Sequence, residues 1–226
     1  MKKNSIFNKS LAFTLAEVLI VVAILGVTAV LTIPNLSTGI EEDKIVTKIK
    51  STVGMLDAAI AQVMYEHPND FDDWGNINSS SNFCSHISEH LKIGKNCGKD
   101  GGCFNEAAPS SASGISDECD EIEGRDDFLC SFILDNGVSV AITEFSMVFL
   151  NINGLSGGNV MGQDLFRGHI DKNGSITFYR GFEVGMDSSM SFDIEYQPLM
   201  WIIKNGNMDY LKCSSSLNWR TQTTCP

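Results

Sequence analysis

Positive charge is scarce in this chain. No Lys or Arg occurs between Lys50 and Lys92, and 16 basic residues face 28 acidic ones for a formal net charge of -12. A surface of that sign repels phosphate backbones and anionic lipid headgroups, which argues against nucleic acid as a direct partner. Cysteine is missing from the first 83 residues, and all seven, from Cys84 to Cys225, come after. Nucleotide binding has no support either, because no G-x-G-x-x-G stands between a strand and a helix. Charge is also nearly missing from Phe13 to Pro34, where Glu17 is the one ionisable side chain.

That stretch is what the chain does have. Apart from Thr14, Glu17, Thr28 and Thr32 its side chains are apolar or Gly until Pro34. At ~1.5 Å rise per residue, about 20 helical residues span a ~30 Å hydrocarbon core, so the length and polarity predict a membrane helix. The only charges upstream are Lys2, Lys3 and Lys9. A basic end before an apolar run predicts an N-in, C-out orientation. Glu17 is the anomaly, since a carboxylate at mid-bilayer depth costs roughly 2.5–3.5 kcal/mol and calls for a partner. A secretory signal peptide carries its small-residue cleavage site after the apolar region, whereas Ala12 lies before it.

A Lys-rich leader, a small residue, then Phe-Thr-Leu-x-Glu and an apolar helix with Gly26 and Pro34 resemble the N-terminus of type IV pilins and type II secretion pseudopilins. The resemblance implies cleavage between Ala12 and Phe13 by a prepilin peptidase at the cytoplasmic face, N-methylation of Phe13, and retention of the helix. It also implies that Glu17 faces the Phe13 ammonium of a neighbouring subunit, with an inner-membrane assembly platform as a further partner. The family's usual residue before the cut is Gly, and here it is Ala12. Cleavage would remove three lysines and leave a net charge of -15. The competing reading is an uncleaved signal anchor with an incidental Glu17.

The expected organisation is a leader (1–12), a transmembrane and filament-core half of the helix (13–38), an amphipathic half (39–66) and one exported head (67–226). Apolar residues at Ile45, Ile49, Val53, Leu56, Ile60 and Val63 carry the helical period, and Pro68 stops it. Pro34 predicts a kink. A coiled-coil stalk is the alternative for this half, but the stripe is short of the heptads it needs. Phe128–Leu134, Val138–Thr143, Phe145–Ile152, Leu165–Ile170 and Ser175–Arg180 read as strands, with Asn136-Gly137 a hairpin signal. The fold class is α+β: the long N-terminal helix packs one face of a C-terminal antiparallel sheet of four or five strands, in a disulfide-stabilised head. Residues 69–127 read as an irregular, disulfide-held connector containing a short helix at Phe83, Ile87 and Leu91. An odd cysteine count allows at most three internal bridges, and Cys213–Cys225 is the best pair because it closes a short loop with little apolar content. Trp201, Tyr210 and Trp219 read as core aromatics, with lectin-like surface aromatics as the alternative.

Three segments carry candidate metal chemistry. His86-Ile-Ser-Glu89-His90 has the H-x-x-E-H spacing in which two His bind zinc and Glu serves as base, giving a membrane-anchored zinc hydrolase as the enzyme alternative. Structural zinc with Cys84 or Cys97 is a further option only if those thiols are reduced. The acidic run 117–127 has oxygen ligands for calcium but lacks the EF-hand spacing. The Gly-rich segment 151–164 resembles a loop of pseudopilin heads that binds calcium in the major pseudopilins; Asn151, Asn153 and Asp164 are the side-chain oxygens it offers, two of them weak neutral ligands, and a plain turn-rich connection is the competing reading. The reading that accounts for most residues is a structural subunit of a filament, major or minor, with no cofactor and no catalysis required; a tip subunit that binds a surface ligand is the third alternative.

Overall fold

The computed structural model describes residues 14–72, 76–78, 82–105, 110–111, 122–156, 159–177 and 198–226, with the side chains of 26, 28–40, 110 and 111 outside the description. Two compact units divide the chain, Met1–Glu41 and Glu42–Pro226. Helix α1, Leu15–Glu66, contributes residues to both.

In the first unit every large apolar side chain described between Leu15 and Val27 is 49–80% exposed. Among the described residues no helix is long and apolar enough to cross a membrane. The leader, Ala12 and Phe13 lie outside the described residues, as do the side chains of Gly26 and Pro34.

The second unit is α+β. From Glu42 onward α1 buries Val46, Ile49, Val53, Leu56, Ala59, Ile60 and Val63, a stripe at helical spacing. It stops at Glu66 because Pro68 disfavours helical backbone at the preceding residue, and His67 takes φ -130°, ψ 60°. A 3-10 turn at Pro68–Asp70 leads towards α2, Phe83–Glu89, and then to β1, Ile93–Gly98. The strands that follow are β2 (Ser110–Ser111), β3 (Phe128–Leu134), β4 (Ser139–Thr143), β5 (Met147–Asn151), β6 (Val160–Met161), β7 (Leu165–Ile170) and β8 (Ile176–Thr177). Two short helices, α3 (Pro198–Asn205) and α4 (Tyr210–Cys213), complete the unit.

The strand order is β1-β3-β4-β5-β7-β6-β2, with β8 also on β7. This corrects the antiparallel expectation. The central strands do pair antiparallel, but β6 runs parallel to β7 and β2 parallel to β6, so the sheet is mixed. The parallel pairs are two-residue pieces carried on loops, too short to show a period in sequence. β1 was also unforeseen, since Ile93–Gly98 has no buried residue, contains two Gly and pairs with β3 through two register shifts.

The sheet is covered on both faces, the first as expected by the amphipathic half of α1. One face packs α1, α2 and α3: Phe132, Val140, Ile142, Val148, Leu150 and Phe166 meet Leu56, Ile60, Phe83, Ile87 and Trp201. The opposite face is covered too. Ala141, Met147, Phe149 and Leu165 pack with Cys103, Phe104, Ile122 and Met161 in a separate apolar cluster. Strands β4 and β5 are therefore buried at all five positions each, which period-two patterning with one wet face does not anticipate.

Three disulfides hold the connector and tail. Cys84–Cys130 ties α2 to β3, Cys97–Cys103 closes the end of β1 onto the segment over the second face, and Cys213–Cys225 closes the C-terminal loop. The seventh cysteine, Cys119, lies outside the described residues. Glycine is required at two close approaches. A Cβ on Gly168 in β7 would lie 2.6 Å from Ile176 and 2.8 Å from Leu199, and one on Gly174, already at φ +80°, would lie 2.9 Å from Met64 on α1.

Candidate functional site

The first candidate is the start of α1. Thr14 and Glu17 form a capping box: the Thr14 N–H and hydroxyl each donate to Glu17 Oε2 at 2.8 Å, and the Glu17 N–H donates to Thr14 Oγ at 3.2 Å. The box satisfies amide donors that a helix start leaves unpaired and brings a carboxylate to the positive end of the helix. Glu17 thus already has a local partner. The expected Phe13 ammonium lies outside the described residues, as does the Ala12–Phe13 cleavage point. Thr14 was not singled out as a functional residue by the sequence reading, although Thr-x-x-Glu before an apolar run is the capping-box signature that points to it.

The histidines do not converge. His86 Nδ1 sits 2.6 Å from Oδ2 of the buried Asp70, and the His86 ring stacks on His67 with centroids 3.6 Å apart. His90 Nε2 instead faces Glu66 Oε2 at 3.1 Å, while Glu89 is exposed. Helix α2 has only seven residues, so each imidazole reaches a different acid, one on the 3-10 turn and one on α1. Cys84 and Cys97 are both in disulfides and have no thiolate to offer zinc. Among the described residues no three His, Cys, Asp or Glu side chains are grouped so as to hold a metal. The joint between α1 and α2 is what these pairs build.

In the acidic run, 117–121 lie outside the described residues. Of the rest, Glu123 is an internal anchor. Its Oε2 accepts the Gly102 N–H at 2.6 Å, and its Oε1 accepts the Cys103 N–H at 3.0 Å and the Ser131 hydroxyl. Asp127 pairs with Arg125 at 2.8 Å.

The segment between β5 and β7 does bring Asn151, Asn153 and Asp164 together. Asn151 Oδ1 accepts the Asn153 N–H at 2.9 Å, and Asn151 Nδ2 donates to Asn159 Oδ1. Asp164 Oδ1 accepts the Val160 N–H and Oδ2 accepts Asn153 Nδ2 at 3.2 Å. Asn151 is fully buried and Asp164 is buried too. Desolvation pushes the Asp164 carboxyl above its ordinary value, against the lowering effect of its donors. These oxygens face N–H groups, so the arrangement does not fit a calcium ion, which needs six to eight free oxygen ligands. Asn159 was missed in sequence because Asn in a Gly-rich loop reads as turn chemistry.

At the C-terminus Cys213–Cys225 is backed by polar contacts. Asp209 Oδ2 accepts the Cys225 N–H at 3.0 Å, and Glu42 on α1 accepts the Met208 N–H at 2.8 Å and Lys212 Nζ at 2.7 Å. Trp201 and Trp219 are buried edge to face with centroids 5.0 Å apart. Tyr210 is buried as well, its hydroxyl donating to the Gly162 carbonyl, and burial raises its phenol well above the ordinary value. No family model, curated protein or solved structure matches the chain.

Proposed function

We propose that this chain is a structural subunit, major or minor, of a type IV pilus or type II secretion pseudopilus. Its leader is removed between Ala12 and Phe13, Phe13 is methylated, and residues 13–38 serve first as the membrane half of a long helix and then as filament core. The amphipathic half, 39–66, carries the head. Before assembly the chain sits in the inner membrane with its head exported, and its partners are copies of itself or related subunits, the prepilin peptidase and an assembly platform.

The observation that carries this reading is the contrast inside the described part of the first unit: exposed apolar side chains from Leu15 to Val27 beside one carboxylate, Glu17, at the helix start. Apolar surface of that extent finds its burial in lipid or in neighbouring helices. A carboxylate among such residues is retained where it has a partner. The capping box holds Glu17 until a neighbour's amine replaces Thr14 as its principal contact.

Mass spectrometry of the mature N-terminus tests the processing step, with methylated Phe13 as the expected result. Replacing Ala12 by Arg is expected to block maturation while membrane insertion persists, because the apolar run is unchanged. A protein of mature size beginning at Phe13 in that variant would overturn the cleavage assignment.

A further inference from the structure

We infer that the loop between β5 and β7 is closed by its own amide network and keeps its shape without calcium. This inference deepens the filament reading, in which the resemblance implies a cation at this loop, but it stands on donors and acceptors within the head. A cation site needs lone pairs that converge on an empty centre. Here the donors occupy that role. The Val160 N–H and Asn153 Nδ2 approach the two Asp164 oxygens, and the Asn153 N–H approaches Asn151 Oδ1. Asn151 Nδ2 takes Asn159 Oδ1, and Asn159 Nδ2 donates to the Asn105 carbonyl at 3.3 Å, linking the loop to the segment over the second sheet face.

A dication placed among these oxygens would meet N–H groups carrying partial positive charge, and each oxygen it took would cost a donor its partner, the buried Asn151 Nδ2 among them. The charge balance points the same way. One carboxylate supplies all the formal negative charge of the network, and the three asparagines are neutral. Calcium affinity rises with ligand charge, so a single acid whose oxygens already accept hydrogen bonds makes a poor site. The loop's dependence is instead on Asp164, the acceptor that joins Asn153 at its start to Val160 near its end. A head built this way keeps its surface unchanged between media of different calcium content, so filament assembly would be insensitive to the ion.

Hydrogen exchange on the full chain in detergent micelles tests this, with the Asn153 and Val160 amides as reporters in 2 mM calcium chloride and in EDTA. The expected result is the same protection in both, within about twofold, and a thermal midpoint that does not move between them. Loss of protection in EDTA that returns with calcium would overturn the inference. Asp164→Ala supplies the second arm, with protection at Val160 expected to fall at least tenfold in both media; unchanged protection would equally overturn it. Should that variant fail to fold, the wild-type comparison decides alone. Neither arm involves filaments, so a calcium-dependent loop would leave the filament proposal standing, and a chain that never assembles would leave the loop result intact.

Discussion

The same residue types, Leu, Ile and Val, line helix α1 in both compact units, with opposite outcomes. Between Leu15 and Val27 they are half exposed or more, whereas Ile49, Leu56, Ile60 and Val63 are fully buried against sheet and helices. Composition alone does not separate the two sets; spacing does. In the second unit apolar residues recur every three or four positions and face one core, while in the first they surround the helix. A helix that is apolar all round is at home in apolar surroundings, which the described residues of its own unit do not supply. The second unit buries its apolar stripe internally, whereas the apolar side chains described in the first unit stay exposed.

Glu17→Ala gives the largest expected effect on this contrast. Removing one partner of a buried charge pair costs roughly 3–5 kcal/mol, which corresponds to at least a ~100-fold loss of assembly. The variant should be processed and inserted yet missing from the sheared filament fraction, and Glu17→Gln should behave alike because it keeps size but not charge. Normal filament yield from Glu17→Ala would refute the assembly mechanism.

Next in size is a matched pair of truncations. Trp201→Ala should destabilise the head by about 3–5 kcal/mol in urea, since the indole is fully buried and its Nε1 donates to Asn207 Oδ1. Leu19→Ala should leave that midpoint unmoved, because Leu19 is 61% exposed and belongs to the other unit. If both shift head stability, the two units do not fold independently.

The disulfides sharpen the picture within the head. Their loops span 46, 12 and 6 residues, and loop-closure entropy then ranks the loss on removal at about 4, 3 and 2 kcal/mol for Cys84–Cys130, Cys213–Cys225 and Cys97–Cys103. Paired Cys→Ser variants in a guanidinium titration check the order. A reversed ranking would assign their main contribution to native packing.

The smallest effect concerns Asp57. Burial in the α1 interface raises its carboxyl above the ordinary value, outweighing the Ile176 N–H that it accepts at 2.8 Å, and Asp171 adds repulsion. A raised folded-state value means that the folded protein binds the proton more tightly, so this contribution is present below the unfolded value near 3.9 and is lost as pH rises through the higher folded value. Asp57→Asn keeps an oxygen for Ile176. The variant should gain slightly on wild type between pH 4 and pH 7, by less than ~1 kcal/mol for a partly buried group, as urea midpoints at the two pH values would show.

Much of the head could be read from its residues, and the failures have physical causes. Strands β3 and β7 carried β-branched and aromatic runs of adequate length, and both occupy the expected ranges. Cys213 and Cys225 were paired because few apolar side chains hold the loop between them, and the structure joins them. Strands β1, β2 and β6 were invisible because backbone pairing with a neighbour, rather than their own side chains, makes them strands. The covered second face was hidden because Phe104 and Ile122 lie in a stretch that otherwise reads as polar loop. The His86-x-x-Glu-His90 pattern misled in the opposite direction, since spacing on a helix says nothing of which acids stand opposite, and Asp70 and Glu66 each claim a ring.

The arrangement of the bridges also sets an order of events in the life of the chain. Cys97–Cys103 lies entirely inside the loop closed by Cys84–Cys130, and Cys119 lies inside it too. Under the proposed export, in which the N-terminus stays inside and the head follows from its helix end, the Cys84 thiol would meet three other cysteines before its proper partner arrives. An oxidant that joins thiols as they appear would bond Cys84 to Cys97 and leave Cys103 and Cys130 without their native partners. If the head is exported as proposed, cells with oxidant but no disulfide isomerase should accumulate the chain in mispaired form.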